Sequence, residues 1–238
     1  MDGSGSPLLS VRAEARQLVA PDYGVVDGVI EHTARSKAEA VRSVTGSLDR
    51  LTAELAALGA VPFDEGAGRR PLTWSAYSSG TREELYHDKE TMRMERTGQV
   101  TATVALRVTV RDLDRLDDLS GVLAAQPGLN VHGVAWHADW DNPAWPQVRA
   151  AAIGAAIGKA RDYAAALGAT LQQVEHIADA GLLGSDTAPY QSGRGLAFRA
   201  ASGGGDQPGT PALTPVPQEL IATIEARFRT TGVSLPSA

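Results

Sequence analysis

The side chains best equipped for chemistry gather between positions 130 and 145: His132, His137, Asp139 and Asp141. Imidazole and carboxylate groups together are ligands for zinc and related metals. On a strand, His137 and Asp139 share one face, whereas His132 turns to the other face with Trp136. Two ligands on one face fall short of the three or four that a zinc site needs, so a third would have to come from His176 or His87. The plainer reading is a polar strand end that leads into a helix cap. His132, His137 and Asp139 are therefore candidate metal residues only, and no residue is assigned as catalytic or as binding a cofactor.

The other polar clusters have simple explanations. Asp112, Asp114, Asp117 and Asp118 stand where a helix begins, and the helix dipole favours negative charge there. Asp64-Glu65 and Glu83-Glu84 read as solvated charges. The glycine-rich pieces Ser192-Gly193-Arg194-Gly195 and Gly203-Gly204-Gly205 lack the Gly-Lys-Ser/Thr ending of a phosphate loop. They do not follow a strand and open a helix, so they read as linker. No Gly-x-Ser-x-Gly elbow occurs, and the absence of cysteine removes disulfides, thiolate metal sites and cysteine nucleophiles together.

Trp136, Trp140 and Trp145 lie within ten residues of one another. They suit a hydrophobic plug where a strand meets a helix. They also suit an oligomer contact, because aromatic residues are enriched at interface cores. These three are the candidate interface residues. An aromatic ligand pocket is a further reading.

The elements that position these residues follow from periodicity. Leu9, Val11, Ala13 and Ala15 alternate with Ser10, Arg12, Glu14 and Arg16, which predicts a half-buried strand running to Pro21-Asp22. A second strand over Val25 to Thr33 predicts a hairpin with the first. Ser36 and Glu39 form a capping-box pattern. It opens a helix over 36–58 with a stripe of Val41, Val44, Leu48, Leu51, Leu55 and Leu58, and Gly59 is the C-terminal cap.

Strands follow at about Leu72 to Tyr86, with an interruption at Ser79-Gly80, and at Gln99 to Arg111. Asp112 is placed to cap a short helix over 112–125, which Pro127-Gly128 ends. Another strand covers Asn130 to Asp139. Asn142-Pro143 opens a long Ala-rich helix over 142–168, with Asn as N-cap and Pro in the first position. Ala152, Ala155, Ala156, Ala160 and Ala164 line it, and Gly154 and Gly158 inside it point to close packing at those positions. Strands at Leu171 to Ala178 and Glu219 to Thr230 flank a stretch, 181–216, rich in Gly, Pro, Ser and Thr, which reads as a long flexible loop. Within it, Tyr190, Arg194, Phe198 and Arg199 would suit a short docking segment for a protein partner.

At 238 residues, 43% apolar and 21% charged, the chain has material for a real core. A net charge of -6 gives no basic footprint for nucleic acid. No stretch approaches the roughly 20 apolar residues that cross a bilayer. No secretory leader is read at the N-terminus, and a cysteine-free chain suits a reducing compartment, so a cytoplasmic location is expected.

The serial order of these pieces resembles the SIMPL domain family, a group widespread in bacteria. The likeness is carried by VRAEARQLVAPDYGVVDGVIE, VALRVTVRDLDRLDDLSGVL, GLNVHGVAWHAD, AAAIGAAIGKARDYAAALGATLQQVEHIADAG and the closing QELIATIEARFRTTG. The resemblance implies an α+β fold, a tendency to self-assemble, and links to signalling and oxidative stress. It implies no catalytic mechanism. The expected fold is α+β, with largely antiparallel sheet or sheets packed by the three helices. Its parts are a strand-strand-helix segment (8–60), a strand-helix-strand-helix-strand segment (70–180), the loop 181–216 and a closing strand (217–232), joined in one composite domain over 8–232. The expected function is that of a non-enzymatic homo-oligomer. The alternatives are a small-molecule module with a pocket between the long helix and the sheet, and a metal-dependent hydrolase.

Overall fold

The computed structural model describes residues 6–64, 69–88, 93–182 and 213–232. The chain is α+β. Eight strands run β1 (Leu8–Val19), β2 (Tyr23–Ala34), β3 (Val61–Pro62), β4 (Leu72–Asp88), β5 (Arg93–Val110), β6 (Leu129–His137), β7 (Leu171–Asp179) and β8 (Gln218–Thr230). The helices are α1 (Lys37–Ala57), α2 (Leu116–Ala124) and α3 (Trp145–Ala166), and one 3-10 turn at Leu113–Arg115 precedes α2.

Two compact units form, and they do not follow the segments expected from the sequence. Among the described residues one unit holds 6–20, 138–182 and 217–232, and the other holds 21–137 and 213–216. In the first unit the sheet order is β1-β8-β7, all antiparallel. In the second it is β3-β4-β5-β2-β6, antiparallel except for the short parallel β3–β4 contact.

This overturns the expected hairpin. β1 pairs with β8 from the far end of the chain, whereas β2 lies between β5 and β6. Pro21-Asp22 marks a passage between two sheets, where a turn within one had been expected. Local alternation fixes which side of a strand is apolar, but the choice of partner depends on remote segments.

In the second unit α1 packs on β2 and β5. Ser36 Oγ accepts from the Glu39 N–H at 3.3 Å, as the capping pattern predicts. The buried stripe is Ala40, Val44, Ser47, Leu51 and Leu55. It is rotated from the expected one: Val41 is exposed and Leu48 is only half-buried. Ser47 is tolerated inside because its hydroxyl meets His32 Nε2 at 2.8 Å. The helix ends at Gly59 (φ 79°), with the Gly59 N–H on the Ala56 carbonyl and the Ala60 N–H on Leu55. The long helix repeats this ending at Gly168 (φ 66°), with the Ala169 N–H on the Ala164 carbonyl. In both, glycine supplies the left-handed step that lets two late carbonyls be satisfied.

Three local expectations change. β4 is one strand from Leu72 to Asp88; its register shifts between Ala76 and Ser78 and again between Glu83 and Leu85, so bulges replace the interruption at Ser79-Gly80. Asp112 makes no side-chain cap; its Oδ2 accepts instead from Arg115 Nε at 2.7 Å, and Arg115 also donates to the Leu58 carbonyl at the end of α1. The long helix begins at Trp145, later than Asn142. Asn142 Oδ1 holds the Ala144 N–H at 3.0 Å in the turn before it, and the proline of the first turn is Pro146.

In the first unit α3 packs mainly on β1 and β8 through Val148, Ala152, Ala156, Ala160 and Ala164. The spacing of four makes one ridge, and alanine brings it close to Ile224, Ala226 and Phe228. Gly154 and Gly158 are not on that ridge. A Cβ at either would meet nothing within 4 Å, and Ala155 is exposed, so the expectation of close packing at the glycines is wrong.

Candidate functional site

The three tryptophans have separate settings. Trp136 is half-buried on β6 against the core of the second unit, with its ring over Gly24 of β2. A Cβ on Gly24 would lie 2.6 Å from the ring. Trp145 opens α3 in the first unit, partly buried, with Nε1 donating to the Asp139 carbonyl at 3.0 Å and the Arg149 guanidinium over its ring at 5.2 Å. Each is held by its own core. Trp140 alone projects, with 79% of its surface exposed.

The histidine and aspartate positions are redistributed by a bulge. The β2–β6 register runs Asp27 to Gly133 and then Gly28 to Val131, so His132 is the extra residue. The bulge lets Val131, Val134 and Trp136 all pack on the core, while His132 is exposed. Strict alternation would have put His132 on the same face as Trp136, which is not what forms. His137 stacks on Tyr23 at 4.9 Å, and the Arg111 guanidinium covers the same Tyr23 ring at 4.3 Å. Asp139 lies past the end of β6, so it does not share a strand face with His137. Among the described residues no group of three or more His, Asp or Glu side chains is placed to hold a metal ion.

Among the described residues each unit has an open cleft. In the first, α3 leaves β7 largely uncovered, and a cleft of about 540 Å³ lies between them, lined by Ile157, Arg161, Ala164, Leu171, Val174 and Phe228. This corresponds to the pocket expected between the long helix and the sheet. In the second, a groove of about 670 Å³ separates α1 from β4 and β5, with Val41, Leu48, Tyr77, Thr81 and Val104 along it.

The buried polar centre of the second unit is structural. Thr101 is fully buried, and its hydroxyl joins Thr33 Oγ1 at 2.6 Å and Glu84 Oε1 at 2.5 Å. That hydrogen bond, and then the Arg82 guanidinium, hold the Glu84 carboxyl below the usual glutamate range. In the first unit Arg229 and then Gln173 lower Glu175 in the same way.

Which strands form the sheet edges is what sequence reading missed. β1 carries side chains alternately inward and outward, as expected, but nothing local reveals that it is an outer strand. Its outward row is Leu8, Ser10, Arg12, Glu14, Arg16 and Leu18, with Leu8 56% and Leu18 69% exposed. The signal available was the presence of two leucines in the polar phase of the alternation. The residues proposed as a docking segment, Tyr190, Arg194, Phe198 and Arg199, lie outside the described residues, as do both glycine-rich pieces.

The architecture defines a two-unit α+β protein. A family model described as "SIMPL: Protein of unknown function (DUF541)" matches residues 9–228, which spans both units. The chain belongs to the SIMPL family. A search of curated proteins gave no match.

Proposed function

We propose that this chain is a non-enzymatic module that acts by assembling with copies of itself. The observation that carries this reading is the open edge of the three-stranded sheet, where β1 extends over twelve residues with β8 on one side only. A strand laddered along one side is a template for another strand. Trp140 supports the same reading, because a large aromatic ring left in solvent gains most from burial at an interface. Light scattering coupled to size-exclusion chromatography tests it through an oligomeric mass. A Trp140→Ala variant that kept its far-UV circular dichroism should then show a lower assembly state. An unchanged mass would remove Trp140 from the interface.

The second reading is a small-molecule module using the cleft between α3 and β7. The observation favouring it is a largely apolar cleft with Arg161 among its lining residues, which suits an amphiphilic anion. A saturable thermal shift with such a ligand, lost in Arg161→Gln, is the expected result. We also place the protein in the cytoplasm; cell fractionation is the direct check.

A further inference from the structure

α3 lies over β1 and β8 and leaves the same face of β7 largely uncovered. That face is apolar. Leu171 lies across from Thr230, Val174 from Phe228 and Ile177 from Ala226, and these three β8 residues are all buried. Directly opposed residues share a side of an antiparallel pair. Leu171, Val174 and Ile177 therefore stand in one row on the α3 side. Simple alternation could not align residues three apart. The register shifts between Leu171 and Gln173 and between Val174 and His176 each insert one residue and bring the row into line.

The row is left in water: Val174 is 48% and Ile177 45% exposed. Between Leu171 and Ile177 the partner on β8 moves from Thr230 to Ala226, which is about 13 Å at the rise of a strand. Asp179, across from Ile224, is the next residue on the same face and ends the apolar run. The two bulges also spoil β7 as a template for an added strand. The row is therefore a floor for something laid along it.

The facing wall is α3. Ile157, Arg161 and Ala164 line the cleft at helical spacings of four and three. Residues 167–170 join α3 to β7, and the Ala169 N–H on the Ala164 carbonyl starts the reversal. The Ala164 end of the helix is thus next to Leu171, and Ile157 lies toward Ile177. Arg161 is the one charged residue of the lining, and among the described residues it belongs to no ion pair. A cation with no carboxylate of its own, beside a single file of apolar side chains, complements a ligand with one anionic end and a long apolar tail.

We propose that this cleft binds a straight-chain alkyl carboxylate, a fatty acid, with its carboxylate at Arg161 and its tail extended past Val174 to Ile177. The proposal rests on the small-molecule reading of the cleft and names its ligand class. A guanidinium offers paired N–H donors that match the two oxygens of a carboxylate. The tail covers Ile157, Val174 and Ile177, apolar surface that the protein's own helix leaves in water. A row one side chain wide takes one extended chain, whereas a planar or fused-ring ligand would leave its far end bare. Asp179 sets the limit, because a longer tail would strip water from a carboxylate.

The test is calorimetric titration of the full chain with hexanoate, octanoate, decanoate and dodecanoate, each below its micelle-forming concentration. Affinity should rise by about two- to fourfold per added methylene and level off once the tail reaches Ile177. Arg161→Gln should weaken decanoate by about tenfold and leave the neutral decanol unchanged. Ile177→Gln, at an exposed position, should weaken dodecanoate and leave hexanoate unchanged. An affinity independent of chain length, or an equal loss of decanol and decanoate in Arg161→Gln, overturns the fatty-acid assignment but leaves a small-molecule cleft standing. Saturable binding of the fused-ring anion cholate with none of the straight-chain acids does the same. No binding of either kind overturns both readings, and a Val174→Gln variant of lower oligomeric mass would then show that a second copy covers the row.

Discussion

Replacing Gly154 and Gly158 by alanine separates the structure from the plain sequence reading. Two glycines inside a helix suggest that something packs closely there, and in that case an added methyl would clash. The structure predicts the opposite. Neither site has any atom within 4 Å of an added Cβ, and the packed ridge is Ala152, Ala156, Ala160 and Ala164. Each substitution removes the excess conformational freedom of glycine in a helix interior, about 1 kcal/mol. The two sites are one turn apart and share no packing partner, so the double variant should gain about 2 kcal/mol. With a urea slope of about 2 kcal/mol/M, the unfolding midpoint of this unit moves up by about 1 M. Urea titration followed by far-UV circular dichroism at fixed protein concentration measures it. A lowered midpoint for either single variant would refute the reasoning and show that these glycines touch another surface. A fall in oligomeric mass would locate that surface in the assembly.

Other substitutions follow from the same geometry. Gly128→Ala should destabilise the second unit by more than 2 kcal/mol, because φ is 75° there and a Cβ would lie 2.6 Å from the Glu31 carbonyl; a thermal melt within a degree of the parent would contradict this. Leu51→Ala removes a fully buried side chain of α1 and should cost about 2–5 kcal/mol by denaturant titration. Thr101→Val keeps the shape but deletes the hydroxyl, and should cost about 1–2 kcal/mol. It should also raise the Glu84 carboxyl toward the ordinary range, read by carboxyl NMR. Glu84 and Glu175 are depressed in the folded state. Their stabilisation is therefore present above the unfolded glutamate value and is lost as pH falls through the lower folded values. Stability that was flat across that acidic range would count against both pairs.

Much of the local structure was legible because it is written in local chemistry. Ser36 before α1, Gly59 and Gly168 after the two longer helices, and the strict alternation in β5 and β8 each report an interaction within a few residues. The partnership of strands was not legible. β1 and β2 are joined by three residues yet lie in different sheets, since β1 takes the last strand of the chain as its partner. The bulge at His132 was invisible for a related reason: alternation counts residues, and one extra residue inverts the phase of everything before it. The tryptophan cluster looked like one feature, but Trp136 and Trp145 serve separate cores and only Trp140 remains for an interface. Which strand lies at an edge is a property of the folded sheet, and only Leu8 and Leu18 in the polar phase of β1 hinted that β1 does.

The central claim is that this chain acts through assembly. Its most direct test is the solution mass of the full chain, measured by light scattering across a wide concentration range. A mass at a multiple of the chain, falling toward the monomer on dilution or in Trp140→Ala, is the predicted result. A monomeric mass at every concentration would contradict it and turn attention to the cleft between α3 and β7.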